Sequence, residues 1–166
     1  MMKIQIRKNC FETNSSSTHA LCIKKQDPNI VLPKTFTFHF KPEHYWLLET
    51  EMNTAQDRAD WLYMVILWMP FSYYMVHVLQ DIFKAHNIIP ITEEPKDISD
   101  DCWLDIDNEI EIFVKNLLND PEKLIRFIFS KDTVSIYTDR DYEQEMDKIF
   151  TLEDSSEYEV FRRNDL

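Results

Sequence analysis

Glycine is absent from all 166 residues, where average usage would supply about 7%. Its absence excludes the Walker A loop and the G-x-G-x-x-G turn, since both need glycine to bring the backbone against phosphate. Left-handed turn positions then fall to Asn and Asp, which tolerate positive φ best after glycine. Basic residues are scarce as well: 18 Lys and Arg stand against 30 Asp and Glu, a formal net charge of −12. Sequence-independent binding to DNA or RNA rests on cations neutralising phosphates, so no direct nucleic-acid binding is expected. Cysteine is limited to Cys10, Cys22 and Cys102, with no C-x-x-C spacing and an odd count that closes no complete set of internal disulfides. Reduced thiols and a cytoplasmic setting are the expectation. The N-terminal run MMKIQIRKNCFETN also lacks the apolar centre of a secretory signal. Neither the His39/His44 pair nor the His77/His86 pair has the spacing of a zinc arrangement. No metal and no cofactor are expected.

Apolar material is plentiful, at 44% hydrophobic and 13% aromatic residues, enough for one domain to bury a continuous core. The longest uncharged stretch, WLYMVILWMPFSYYMVHVL from Trp61 to Leu79, reaches the minimum length for a bilayer span. Pro70, Ser72 and His77 interrupt it, and Asp57, Asp60 and Asp81 flank it without basic bias. It therefore reads as two consecutive core helices outside any membrane. The first opens at Thr54 with Asp57 three residues on, a variant capping box, and ends or kinks at Pro70.

Period-2 alternation predicts strands at Lys3–Lys8, Ala20–Ile23 and Thr35–Phe40, the last with Phe36, Phe38 and Phe40 on one face. The first two read as a β-hairpin with a long connection. A short extended piece is expected at Ile88–Ile91, and helical spacing predicts a helix over Asp105–Leu118. A further helix carries Pro121 in its first turn and Asp120 as its cap. A strand at Thr133–Tyr137, a short helix at Tyr142–Phe150 and an edge strand or frayed end at Tyr158–Phe161 complete the chain. The fold class is α+β: an N-terminal β-hairpin layer packed on a helical core, in a single domain.

The most distinctive stretch is FETNSSSTH, residues 11–19. It offers a carboxylate at Glu12, an amide at Asn14, hydroxyls at Ser15, Ser16, Ser17 and Thr18, and the imidazole of His19. Such a set can hold an anion, a sugar hydroxyl or a polar peptide, and a serine activated by His19 is a further alternative. It can equally cap backbone groups in a loop that has no glycine. RKNCFETNSSSTHALCI resembles the N-terminal F-E-T-N-S-S-S-[ST]-H signature of small uncharacterised proteins from phages and low-GC Gram-positive bacteria. The resemblance implies a phage-type accessory protein and carries no established activity with it.

Negative charge is concentrated in two blocks. Residues 93–111 hold nine carboxylates against Lys96 alone, and residues 139–159 hold nine against Arg140 and Lys148. Asp100, Asp101, Asp105, Asp107, Glu109 and Glu111 in the first block, with Glu143, Glu145 and Asp147 in the second, are the candidate acidic interface. Such faces keep a protein soluble, and they also suit a partner whose own surface is basic. The expected partner is a host protein with a basic surface, which an accessory protein of this kind would occupy as an anti-defence inhibitor. An enzyme or ligand-binding protein with its site in the 12–19 loop is the alternative.

Overall fold

The consequences of having no glycine appear where the chain reverses. In a computed structural model, which describes residues 18–41, 52–95, 108–138 and 143–164, two residues have positive φ, Asn87 at 60° and Phe71 at 63°. Asn87 follows helix α2 (Ser72–Ala85) and its cap His86. Its N–H bonds Lys84 O at 3.0 Å, and Ile88 N–H bonds Phe83 O at 3.0 Å. This is a Schellman ending with asparagine in the place glycine usually takes. Phe71 lies in the connection between α1 (Ala55–Trp68) and α2, where Pro70 prevents continuation of the first helix. Here neither glycine nor the expected Asn or Asp is present, and a bulky aromatic residue occupies the left-handed region.

Both helices are 14 residues long, and no helix among the described residues is long and apolar enough to cross a membrane. The N-terminus of α1 has the expected capping box. Thr54 accepts from Asp57 N–H, and the Asp57 carboxylate accepts from Thr54 N–H. From Trp61 onward the helix is apolar on every side because it is central: Trp61 through Ile66 are all buried. Helices α3 (Asn108–Asn119) and α4 (Pro121–Phe129) pack around it, with Asp120 capping α4 through Lys123 N–H at 3.0 Å. The part of the expected third helix at 105–107 lies outside the described residues.

Five strands accompany these helices among the described residues. β1 (Thr18–Lys24) is the middle of a three-stranded antiparallel sheet, between β4 (Val134–Thr138) and β5 (Tyr158–Asn164). The strand expected over Lys3–Lys8 lies outside the described residues. Both edges of β1 are occupied by strands from the C-terminal half, with Leu21 opposite Ser135 on one side and Phe161 on the other. Ala20–Ile23 is not the half-buried strand its alternation suggested, since all four residues are buried. Leu21 and Ile23 join the main core, while Ala20 and Cys22 meet Ile149 of α5 (Glu143–Asp154) on the opposite face. Burial pushes the Cys22 thiol up to about 11, with the nearby Glu153 acting in the same direction.

β2 (Thr35–Phe38) and β3 (Ile89–Thr92) form a separate parallel pair. Ile89 N–H bonds Lys34 O and Glu93 N–H bonds Phe38 O, so positions 90 and 92 turn their backbone groups away from β2. Pro90 has no N–H to offer there, which blunts that edge against further strand pairing. The inner face supplies Phe36 and Phe38 to an aromatic cluster with Phe83, Phe129 and Tyr63, at ring separations of 4.9 to 5.8 Å. Helices and strands thus build one compact α+β domain, with the core centred on α1.

Candidate functional site

Of the polar stretch singled out in the sequence, Glu12, Asn14, Ser15, Ser16 and Ser17 lie outside the described residues. Thr18 and His19 open β1, where Thr18 pairs with Thr138 and Asn164, and His19 with Tyr137 and Arg163. Their backbones belong to the centre of a sheet and not to the loop expected there.

The acidic blocks divide in the same way. Asp100, Asp101, Asp105 and Asp107 lie outside the described residues. Glu109 is exposed at the start of α3, and Glu111, half-buried, is ion-paired with Lys115. Glu143 and Glu145 stand in the first turn of α5, followed by the exposed Asp147. Glu153 pairs with Arg162 and Glu159 with Lys123, so two carboxylates of the second block are neutralised locally. Lys123 lies 36 residues from Glu159, a distance that conceals the pairing from a count along the chain.

A polar centre that sequence reasoning missed is built around Asp60, which is only 1% exposed. One carboxylate oxygen accepts His39 N–H at 2.9 Å and Gln56 Nε2 at 2.6 Å. The other faces His39 Nδ1 at 3.2 Å and Lys41 Nζ at 2.8 Å. Gln56 also donates to Thr37 O at 2.8 Å. A buried carboxylate orienting an imidazole is one half of a catalytic triad, and the other half is a nucleophile held by that imidazole. Among the described residues no hydroxyl or thiol hydrogen-bonds His39. Four donors converge on one carboxylate, and the arrangement fastens the end of β2 to α1. The signal available in the sequence was Asp60 itself, a charge one position before the apolar run, which amphipathic reasoning treats as a flank.

Arg58, two residues earlier in the chain and 2% exposed, is a second buried clamp. Its guanidinium donates to Ile128 O, Ser130 O, Met52 O and Asn53 O at 2.8 to 3.3 Å. Ile128 and Ser130 end α4, where unpaired carbonyls and the negative end of the helix dipole favour a cation. Burial pulls Arg58 down to about 10, so it is charged throughout the neutral range.

The surface feature that stands out is apolar. Phe71 is 82% exposed, Tyr73 79% and Tyr74 69%, all at the turn into α2. The Tyr73 ring meets His77 edge-on at 4.4 Å. The backbone there is held in place, with Met75 N–H bonded to Phe71 O at 3.1 Å and Met69 N–H to Ile66 O. Three exposed aromatic side chains thus lie within four residues on a hydrogen-bonded turn, a composition that protein surfaces seldom leave in water. No protein-family model, curated protein or solved structure matches this chain.

Proposed function

We propose that this protein works by binding another protein, with the Phe71–Tyr73–Tyr74 tip as its anchor and the excess of carboxylates as its attraction. The observation that carries this reading is the exposure of three neighbouring aromatic residues on a turn whose conformation is unfavourable for one of them. Exposed aromatics supply interface energy at a low cost in side-chain entropy, and a strained backbone is retained where the surroundings over-determine it. The net charge of −12 favours a partner with an apolar cleft rimmed by Lys and Arg. It also disfavours a second copy of the same chain, which would carry the same charge. The resemblance of residues 11–19 to phage-type proteins points to a host protein as that partner and to anti-defence inhibition as the outcome.

The test is quantitative affinity capture from host lysate with the parent protein and with Phe71→Ser/Tyr73→Ser/Tyr74→Ser. A specific basic protein should be enriched by the parent and reduced about tenfold or more by the triple variant, the loss expected for hot-spot side chains. The melting temperature should be nearly unchanged. Equal capture by both proteins defeats the reading.

A further inference from the structure

Away from the aromatic tip, a groove of about 260 Å³ runs between the segment following β1, the C-terminal end of α2 and the outer side of α4. Its apolar floor includes Ile30, Leu32 and Ile125, and its charged groups are Lys25, Asp27, His86, Glu122 and Arg126. The two carboxylates are already occupied. Asp27 accepts from Ser130 Oγ at 2.5 Å and from Asn29 N–H at 2.9 Å, which together hold its carboxyl below the ordinary value. Glu122 faces His86 Nε2 at 3.2 Å, while His86 Nδ1 lies 2.8 Å from Ile82 O. The two full cations are in the opposite condition. Neither Lys25 nor Arg126 has a side-chain hydrogen bond or ion pair among the described residues. Arg126 Nε is buried without any partner.

A position in the last turn of α4 explains why a cation is tolerated at 126, because the helix dipole favours it there. It does not explain a guanidinium with no partner among the described residues: Arg162 Nε also lacks a hydrogen bond, but that group pairs with Glu153, and Arg58 reaches carbonyl oxygens. An anion placed over the floor would accept from Arg126 through the planar fork that suits carboxylate and phosphate oxygens, with Lys25 as a second point charge. The volume lies just under the range of drug-sized pockets, which limits the ligand to the size of a small metabolite.

We propose that this groove is a binding site for a small organic anion, its carboxylate or phosphate head held by Arg126 and Lys25 and its short apolar body on Ile30, Leu32 and Ile125. The test is isothermal titration of the full chain with hexanoate, acetate and inorganic phosphate. Hexanoate should bind saturably and about tenfold or more tighter than acetate, since several buried methylenes each contribute. Arg126→Gln should weaken hexanoate about tenfold and Lys25→Gln less. Lys84→Gln, whose lysine pairs with Asp81 outside the groove, should change nothing. Phosphate that competes with hexanoate assigns the head group to phosphate, and phosphate that does not assigns it to carboxylate. Should Arg126→Gln be destabilised, backbone amide shifts at 25–27 and 125–126 of the parent protein on adding hexanoate carry the same decision. Non-saturable binding, shifts elsewhere, or equal weakening by Lys84→Gln overturns the proposal.

Discussion

Phe71 combines two liabilities, a bulky side chain in the left-handed region and an aromatic ring in water. The first is relieved by glycine, which adopts that conformation without a Cβ clash. Phe71→Gly is therefore expected to raise stability by up to about 1 kcal/mol, after the added entropy of the unfolded chain is subtracted, or up to about 2 to 4 °C in melting temperature. The same substitution should lower partner capture. A variant that melts lower and captures equally would show that the residue serves the fold. The buried clamps predict the reverse behaviour. Asp60→Ala strands the His39 N–H and removes one acceptor each from Gln56 and Lys41, and is expected to cost about 3 kcal/mol in denaturant unfolding. Arg58→Ala leaves the carbonyls of Ile128 and Ser130 unpaired and should cost a similar amount.

Cys22 gives a pH dependence whose sign is fixed. Its folded value of about 11 lies above the unfolded 9.0, so its contribution is fully present below pH 9 and is lost as pH rises toward 11, where the unfolded chain has already released the proton. The parent should lose about 2 kcal/mol more than Cys22→Ala over that window, measured as the difference between their urea midpoints. Tyr63, also raised by burial, is common to both proteins and cancels, while Tyr158, raised mainly by burial and in smaller part by Cys22, changes only by that smaller contribution.

At the scale of elements, the helices were legible because their signals are local. Thr54 and Asp57 lie three residues apart, Pro70 stops α1 wherever the chain goes next, and Asp120–Pro121 announces α4 within two residues. Thr54→Ala should accordingly cost about 1 kcal/mol, read from thermal melting. Isolated strands were legible too, at 20–23, 35–38 and 134–137. Their partners were not. The alternation in Ala20–Ile23 cannot show that α5 covers the second face, or that β4 and β5, more than 100 residues away, occupy both edges. The candidate sites failed for the same reason. Asp60, His39 and Lys41 converge across about 20 residues of sequence, and Arg126 meets Lys25 in one groove across 101 positions. The aromatic tip was hidden differently: Phe71, Tyr73 and Tyr74 belong to an apolar run that reads as core, and only the turn at Pro70 brings them out to solvent.

For the whole molecule, the charge of −12 sets how an encounter begins. Attraction between exposed charges is screened over about 8 to 10 Å at physiological salt. Association with a basic partner should therefore slow as salt rises, while dissociation, governed by the aromatic anchor, changes little. Surface-bound kinetics at low and high ionic strength would reveal this split, and an association rate independent of salt would remove the carboxylates from the interface. Local pairing already narrows which carboxylates take part: Glu111, Glu153 and Glu159 are held by Lys115, Arg162 and Lys123, leaving Glu109 and Asp147 among the exposed ones to reverse first.

The central position of β1 also bears on how the protein is made. Its two sheet partners end at residues 138 and 164, so during translation β1 emerges before both and waits more than 100 residues for the first and longer for the second. At roughly 5 to 20 residues per second that interval is on the order of 10 to 30 s. Through it, Ala20, Leu21, Cys22 and Ile23 present apolar side chains on both faces and unpaired backbone on both edges, a state that invites holding by a ribosome-associated chaperone. Depletion of such a factor should therefore reduce the yield of newly made protein far more than it affects molecules already folded.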